Sequence, residues 1–372
     1  MREDLIARCR AFAAREVASR PELLKAKDFP DDLWSAMRDA GLLGVGLPVQ
    51  YGGDGGDFQL LSECCKAIAE GGGILGVAMT WMGHQLNARL HIARLGTDAQ
   101  KAEWLPPLAA GETTLCVAIS EPGAGAHPKR LQTRAIRDGD DYILNGEKSY
   151  LTNGPLAGVF LVLAITDEIN GRKQFSAFLV PRENDGFEQT PGIAIDFLHP
   201  SPHCGIKLTD CRIPAGNMLG SEGNAFDEVS LAMRAVEDAI GTASKAGAMS
   251  HALARLAGYS AGQEIPEILG ELGRMSVLNR SLSRLAAGMA ADIDAGHIDG
   301  DYLNPLSAGF REIAKNLQNR IDSFINEHDI IPDEAFELLQ RDMKKSQTIA
   351  QSVHQAKTIQ YGLTLIAEST SS

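Results

Sequence analysis

The hydrophobic period of this 372-residue chain changes twice along its length. Apolar residues recur at helical spacing up to about residue 113, alternate in short runs over 114–222, and return to helical spacing from 223 onward. This order predicts a mostly α fold with a central β domain. We expect an N-terminal all-helical domain over 1–113, a β-barrel or sandwich over 114–222, and a C-terminal four-helix bundle over 223–372.

Within these regions the pattern predicts individual elements. Asp138-Gly139 and Asn145-Gly146 are typical hairpin turns. The apolar runs 159–165 and 175–180 read as buried strands, and 206–208 with 211–213 as a last strand pair. The four bundle helices are predicted at 225–258, 266–295, 303–327 and 333–367.

The chain carries a net charge of -13, which argues against nucleic-acid or anionic-membrane partners but leaves room for a local basic pocket. We find neither a signal peptide nor an apolar run long enough for a membrane span, so we expect a cytoplasmic protein. The six cysteines lack zinc or disulfide spacing, and Cys9, Cys64 and Cys65 read as buried free thiols. Two prolines lie between His199 and His203, and the sequence predicts no metal site.

Two loop segments carry residues that suit a ligand. The first runs from Val117 to His127 and contains Pro122, Gly123 and Gly125, whose backbone allows close approach to a planar group. The second, 145–154, contains an aromatic and a hydroxyl between two Asn-Gly pairs. An aromatic can cover one face of a ring system and a hydroxyl can bond its edge, although turn residues alone would also explain both loops.

These segments resemble the acyl-CoA dehydrogenase family. Ser-Glu-Pro-Gly-Ala-Gly at 120–125 is similar to the family signature Thr-Glu-Pro-x-Ala-Gly-Ser-Asp, and residues 145–154 are similar to Asn-Gly-x-Lys-x-Trp-Ile-Thr-Asn-Gly. Flanking matches extend over about 28–236. The resemblance implies FAD as cofactor and an acyl-CoA or acyl-carrier thioester as substrate. It also implies an electron-transfer acceptor and a homodimer or homotetramer, or a hetero-oligomer with a paralogue.

The resemblance also assigns site residues. It implies that Val117, Ala118, Ile119 and Ser120 hydrogen-bond the flavin, and that Tyr150, Leu151 and Thr152 stack on it and bond it. Ala126 and Arg234 fall at substrate-contacting positions. The family reaction abstracts a proton at Cα and transfers a hydride from Cβ to the flavin, so a carboxylate must lie beside Cα.

Several residues depart from the family pattern. Ser120 replaces Thr, Ala126-His127 replaces Ser-Asp, and Tyr150 replaces Trp. Residues 257–263 lack the Arg-x-x-Phe-Gly segment that reaches a neighbouring FAD, and the Tyr-x-Gly-type segment from which the family usually draws its catalytic Glu is not found beyond the last predicted helix. Met233 occupies the alternative base position. Glu237, one helical turn from it, is our candidate base, and an ion-paired surface residue is the competing interpretation.

Three functions remain open from these residues. The chain is an acyl-thioester dehydrogenase with a displaced base, a non-catalytic or FAD-poor subunit that partners a complete paralogue, or a degenerate member that binds a ligand without redox chemistry.

Overall fold

The computed structural model describes residues 2–262, 265–349 and 351–371. Helices α1 to α5 precede the sheet and helices α6 to α10 follow it. Their bounds are α1 (Arg2–Phe12), α2 (Asp31–Asp39), α3 (Phe58–Gly72), α4 (Leu75–Asn87), α5 (Asp98–Ala109), α6 (Ala232–Tyr259), α7 (Pro266–Asp294), α8 (Gly300–Glu327), α9 (Glu334–Thr348) and α10 (Gln351–Ser371). The predicted helical, β and helical order is confirmed.

Local signals set several of the helix starts. Thr97 caps α5 in a capping box, because its side chain accepts from the Gln100 backbone N–H while the Gln100 side chain accepts from Thr97 N–H. Asp57 caps α3 by accepting from Leu60 N–H at 2.7 Å. The apolar faces of α1, α3 and α4 bury large side chains in one core that continues into the C-terminal helices.

The middle region forms an eight-stranded sheet in the order β6-β7-β3-β2-β4-β5-β8, with β1 paired to β4. The strands are β1 (Thr114–Ala118), β2 (Arg134–Asp138), β3 (Asp141–Thr152), β4 (Ala157–Ile169), β5 (Arg172–Pro181), β6 (Phe187–Thr190), β7 (His203–Pro214) and β8 (Met218–Leu219). Both predicted strand runs lie inside β4 and β5.

The two faces of β4 are both buried, which explains its continuous apolar run. Val159, Leu161 and Leu163 pack with side chains of α5 such as Leu105 and Leu108. The alternate residues of β4 pack in a separate core between strands on the other face. One face of the sheet therefore packs against the N-terminal helices.

One turn prediction and one strand-pair prediction were wrong. Asn145-Gly146 lies inside β3 and not in a hairpin turn; the register with β7 shifts between Leu144 and Gly146, where Thr209 and Asp210 of β7 form a bulge opposite Asn145. The predicted strand pair near the end of the sheet is the single strand β7. Asp210 within this bulge has a positive φ of 47°, which accounts for its turn-like sequence. Asp138-Gly139 does form the turn between β2 and β3.

The C-terminal region differs from the predicted bundle at its last helix. The expected helix over 333–367 is two helices, α9 and α10, because the backbone of Ile349 is extended with ψ of 128°. Position 350 lies outside the described residues. The first three predicted helices correspond to a π-helical turn (Phe226–Leu231) with α6, to α7 and to α8.

Candidate functional site

The ends of β1 and β3 bring the two predicted flavin loops together. Val117 and Ala118 end β1, Ile119 and Ser120 follow directly, and Ser149 in β3 donates its backbone N–H to the Ser120 carbonyl at 2.9 Å. The cysteine Cys116 lies below, with its Sγ 3.3 Å from the Thr152 carbonyl oxygen. The loops that the family resemblance pairs are therefore neighbours in this chain.

A buried ion pair lies beneath the two loops. The Lys148 ammonium donates to Glu121 Oε1 at 2.9 Å and to the Ile119 carbonyl at 3.1 Å. The Glu121 carboxylate also accepts the backbone N–H groups of Gln132 at 2.7 Å and Thr133 at 2.9 Å. The pair thus ties the first loop to β3 and to the segment that enters β2.

Burial and charge act against each other in this pair. Burial lowers the pKa of Lys148 to about 8, although Glu121 opposes the shift. Burial alone would raise the pKa of Glu121, but Lys148 and the hydrogen bonds outweigh it and the pKa is lowered. Sequence reasoning missed Lys148 as a functional candidate. Lys148 lies an even number of residues after the buried Tyr142 and Leu144 in the same strand. The alternation of side chains along a strand therefore predicts that its side chain points inward.

Tyr150 has an unusual backbone. Its φ is 59°, in the left-handed region that a bulky residue seldom adopts, and its side chain is 47% exposed. Leu151 beside it is buried in the sheet core, and Thr152 is partly exposed. The strained backbone therefore holds an aromatic ring outward at the place where the resemblance puts a flavin-stacking residue.

The second loop continues against α4. Asn153 donates its Nδ2–H to the Thr80 carbonyl at 2.9 Å. Three buried side-chain atoms here, Ser149 Oγ, Asn153 Oδ1 and Thr80 Oγ1, have no hydrogen-bond partner among the described residues. Orphaned polar atoms are uncommon in buried positions, and their grouping around one loop is what a site that takes up a polar ligand or ordered water would show.

The first loop borders an open cleft of about 910 Å³. Pro122, Gly123 and Ala124 line it, and a Cβ on Gly123 would meet no atom within 4 Å. Its lining also includes four cations and two carboxylates, which are Lys129, Arg130, Arg134, Lys173, Glu121 and Glu147. The net negative charge of the chain did not exclude a local basic pocket, and this cleft is such a pocket. Ala126 lies in the same loop and is partly buried.

Glu237 and Arg234 lie on α6 and are not part of the hydrogen-bond network that joins the two loops. Within the described residues neither side chain forms a hydrogen bond or an ion pair with either loop. Met233, however, packs against both the helical core and the core on the sheet's inner face. The start of α6 therefore lies where the helices meet the sheet.

The surroundings of Glu237 favour its protonated form. Solvent reaches the side chain, but protein crowds around it, and this burial raises its pKa to about 7, with Asp238 adding to the rise and Lys245 opposing it. Because solvent reaches the carboxyl group, the charged form keeps part of its hydration. Asp238 itself is paired with Arg311 at 3.0 Å.

One of the expected departures from the family pattern falls at the end of α6. Of the segment that lacks Arg and Phe, residues 257–262 are described and Gln263 lies outside the described residues. Glu237 is one of the described carboxylates whose pKa is raised, and Asp342 on α9 is another.

Other site types find no support in the described part of the chain. No group of three or more His, Cys, Asp or Glu side chains there could hold a metal ion. All six cysteines are free and buried, as predicted for Cys9, Cys64 and Cys65. None of the helices described is long and apolar enough to cross a membrane.

Comparison with known proteins agrees with this geometry. The family model for the acyl-CoA dehydrogenase N-terminal domain matches residues 2–112, and that for the middle domain matches 116–211. The chain is 34% identical to acyl-CoA dehydrogenase FadE12 of Mycobacterium tuberculosis over 61% of its own length and 58% of the relative's. The aligned part therefore spans less than two thirds of that relative.

Two further comparisons cover more of the chain. An acyl-CoA dehydrogenase of Bacillus subtilis is 30% identical over 77% of this chain and 73% of its own. Butyryl-CoA dehydrogenase from Megasphaera elsdenii has the same fold, with a TM-score of 0.84 at 24% identity over 98% of each chain. The chain therefore belongs to the acyl-CoA dehydrogenase family.

Proposed function

We propose that this protein is a flavin-dependent oxidoreductase that dehydrogenates an acyl thioester between Cα and Cβ. One observation carries the proposal: the two family loops lie side by side and present an outward aromatic ring beside backbone groups of the first loop. Ser149 joins them through the Ser120 carbonyl at 2.9 Å, and Tyr150 projects next to this bond.

The residues at the two loops fit FAD. Tyr150 offers a ring to one face of the flavin, while Ser120 and Thr152 offer a backbone N–H and a hydroxyl to its edge. The open space above Gly123 leaves room for the ring to approach the backbone closely. When bound, FAD supplies the hydride acceptor for this chemistry. The remaining tasks of binding, orientation and proton transfer belong to the chain.

Glu237 is the proposed general base. Its carboxylate would take the Cα proton, and the Cα–H electron pair would form the new double bond as the Cβ hydrogen departs with its electron pair. A bound FAD would supply the acceptor for that hydride. A raised pKa of about 7 suits a group that must accept a proton near neutral pH. Arg234, one turn before it on α6, is positioned to contact the substrate as the family resemblance implies.

The basic cleft supports coenzyme A as the carrier. Three of its four cations, Lys129, Arg130 and Arg134, line the cleft together with the signature loop and can bind the phosphates of a nucleotide-containing thioester. An acyl-carrier protein would present a single phosphate and a protein surface of its own. We therefore favour acyl-CoA over an acyl-carrier thioester, with an electron-transfer acceptor that reoxidises the flavin.

A second candidate is a subunit that works with a complete paralogue in a hetero-oligomer. One observation favours it: no arginine or phenylalanine lies in 257–262. A homodimer or homotetramer is the corresponding proposal for the first candidate, because family resemblance places cofactor contacts between subunits.

The absorption spectrum of the purified protein tests the proposal. The spectrum is recorded before and after addition of excess FAD followed by gel filtration, and retained flavin is then titrated anaerobically with acyl-CoA thioesters of increasing chain length. Retained flavin that one of these thioesters bleaches supports the dehydrogenase. Loss of all flavin from the chain alone, with flavin uptake only beside a paralogue, supports the second candidate instead.

A further inference from the structure

The peptide group between Ile119 and Ser120 has one end held inside the protein and the other directed outward. Its carbonyl accepts from the Lys148 ammonium at 3.1 Å. In a trans peptide the N–H points away from the carbonyl, so the Ser120 N–H is directed away from the buried lysine. No hydrogen bond from this N–H to an acceptor occurs in the described parts of the chain.

Lys148 is fixed in place by more than this one contact. Its side chain is 2% exposed, and Glu121 accepts from it at 2.9 Å while backbone N–H groups of Gln132 and Thr133 hold the same carboxylate. A long lysine side chain would normally sample several rotamers. Here the carboxylate and the packing restrict the ammonium to one position under the Ile119 carbonyl.

We propose that Lys148 is a positioning residue that orients and polarises the Ile119–Ser120 peptide so that the Ser120 N–H donates to the edge of the flavin ring. This inference rests on the proposed function and deepens it. A cation bonded to the carbonyl draws electron density from the peptide, and its N–H becomes a stronger donor, as in any chain of coupled hydrogen bonds. Low dielectric inside the protein enlarges the effect.

The expected consequence concerns the redox balance of the bound cofactor. The reduced ring carries more negative charge than the oxidised ring, so a stronger donor at its edge favours the reduced form. A purely structural role for Lys148 would change stability and overall FAD affinity and leave the preference between oxidised and reduced flavin unaltered. The ratio of the two affinities therefore separates the two roles.

The test compares Lys148→Met with Lys173→Met in the full-length protein loaded with FAD. Lys173 is a matched control, because its ammonium also donates to two backbone carbonyls, those of Lys129 at 3.0 Å and Leu131 at 2.7 Å, and, although it lines the same cleft as Gly123, it forms no hydrogen bond with either flavin loop in the described residues. The readouts are the thermal unfolding midpoint, the FAD dissociation constant, the visible spectrum and the flavin midpoint potential.

We expect Lys148→Met to weaken binding of reduced flavin about tenfold more than binding of oxidised flavin. For a two-electron couple this ratio lowers the midpoint potential by about 30 mV. Lys173→Met should leave the potential unchanged. If Lys148→Met fails to fold, Lys148→Gln replaces it, because the amide can still donate to the Ile119 carbonyl without a positive charge, and a smaller decrease in potential is expected.

An unchanged potential in a folded, flavin-loaded Lys148 variant would overturn the proposal and leave the proposed function intact. An equal decrease in Lys173→Met would overturn it as well, because the effect would then not depend on the Ile119 carbonyl. A wild-type protein that binds no FAD alone or with a partner would overturn both this inference and the proposed function.

Discussion

The backbone of Gly247 in α6 lies against the carbonyl of Lys66 in α3, and a Cβ atom on this glycine would be 2.4 Å from that oxygen. No real Cβ tolerates such a distance from a backbone atom, so the glycine sets how closely the two helices approach. We predict that Gly247→Ala lowers the free energy of unfolding by about 1–3 kcal/mol, the usual range for overpacking. Urea unfolding followed by circular dichroism measures the change.

Gly241 in the same helix provides the control. A Cβ there would meet no atom within 4 Å, so Gly241→Ala should raise the free energy of unfolding by about 1 kcal/mol through helix propensity alone. Opposite signs for the two variants are the expected result. Stabilisation by both would show that α3 moves away from α6 at little cost.

The buried pair of Glu121 and Lys148 should be far more sensitive than any surface ion pair. We predict that Glu121→Gln lowers the free energy of unfolding by about 3–5 kcal/mol, because it leaves a buried ammonium without its carboxylate. The double variant with Lys148→Met should cost less than the sum of the two single changes, since it removes both charges together. Additive losses in urea unfolding would contradict a direct pair.

Sequence reasoning succeeded where one signal dominated. The helical, β and helical order followed from the hydrophobic period. The two loops that resemble the family motifs were located from the sequence. Their proximity needed the structure, because β1 and β3 are separated in sequence and are brought together by contacts such as those of Ser149 with Ser120 and of Lys148 with Ile119.

The errors have physical causes that a single sequence does not display. The break between α9 and α10 at Ile349 has neither glycine nor proline to mark it. Asn145-Gly146 is a strong hairpin signal in isolation. In the structure, β3 pairs with the long strand β7 on both sides of the dipeptide, which therefore stays inside the strand beside a bulge. Lys148 was treated as a polar residue of a loop, although tertiary packing buries it with Glu121.

Replacing Tyr150 should change protein stability and cofactor binding in opposite directions. Asparagine tolerates a φ of 59° better than tyrosine, so Tyr150→Asn should raise the free energy of unfolding of the flavin-free protein by up to about 1 kcal/mol. The same change removes the ring and should weaken flavin retention, measured as flavin absorbance relative to protein after gel filtration. Tyr150→Trp keeps an aromatic ring and should retain flavin, and loss of flavin from that variant would argue against stacking.

The basic cleft predicts a phosphate-dependent effect on substrate binding. Arg134→Gln should raise KM for an acyl-CoA about fivefold with little change in kcat, the effect of about 1 kcal/mol in one exposed contact. KM for the same acyl group on a short thioester without phosphates should not change. Increasing salt should reduce the difference between the wild type and the variant.

Arg137 in the same strand β2 is the control for that change. Its guanidinium lies over the Tyr142 ring and donates to the Gly139 carbonyl, outside the cleft. Arg137→Gln should leave KM for both thioesters unchanged. Equal increases in KM for the two arginine variants would mean that net charge, and not the cleft, attracts the substrate.

Glu237 should govern the pH dependence of the reaction if it is the base. A carboxylate must be ionised to accept the Cα proton, so kcat should rise with pH through about 7, the pKa to which burial and then Asp238 raise this group. Glu237→Gln should abolish this rise and lower kcat by about a hundredfold or more. Asp238→Asn, which breaks the ion pair with Arg311, should keep the rise.

The same pKa fixes the direction of a stability change. Because the folded-state pKa of about 7 lies above the ordinary value of 4.5, the folded protein binds more protons than the unfolded chain between these limits. The contribution of Glu237 to stability is therefore complete below pH 4.5 and is lost as the pH rises through 7. Glu237→Gln should unfold at a higher temperature than the wild type at pH 8, whereas a difference that does not vary between pH 5 and pH 8 would place Glu237 in open solvent and remove it from the role of base.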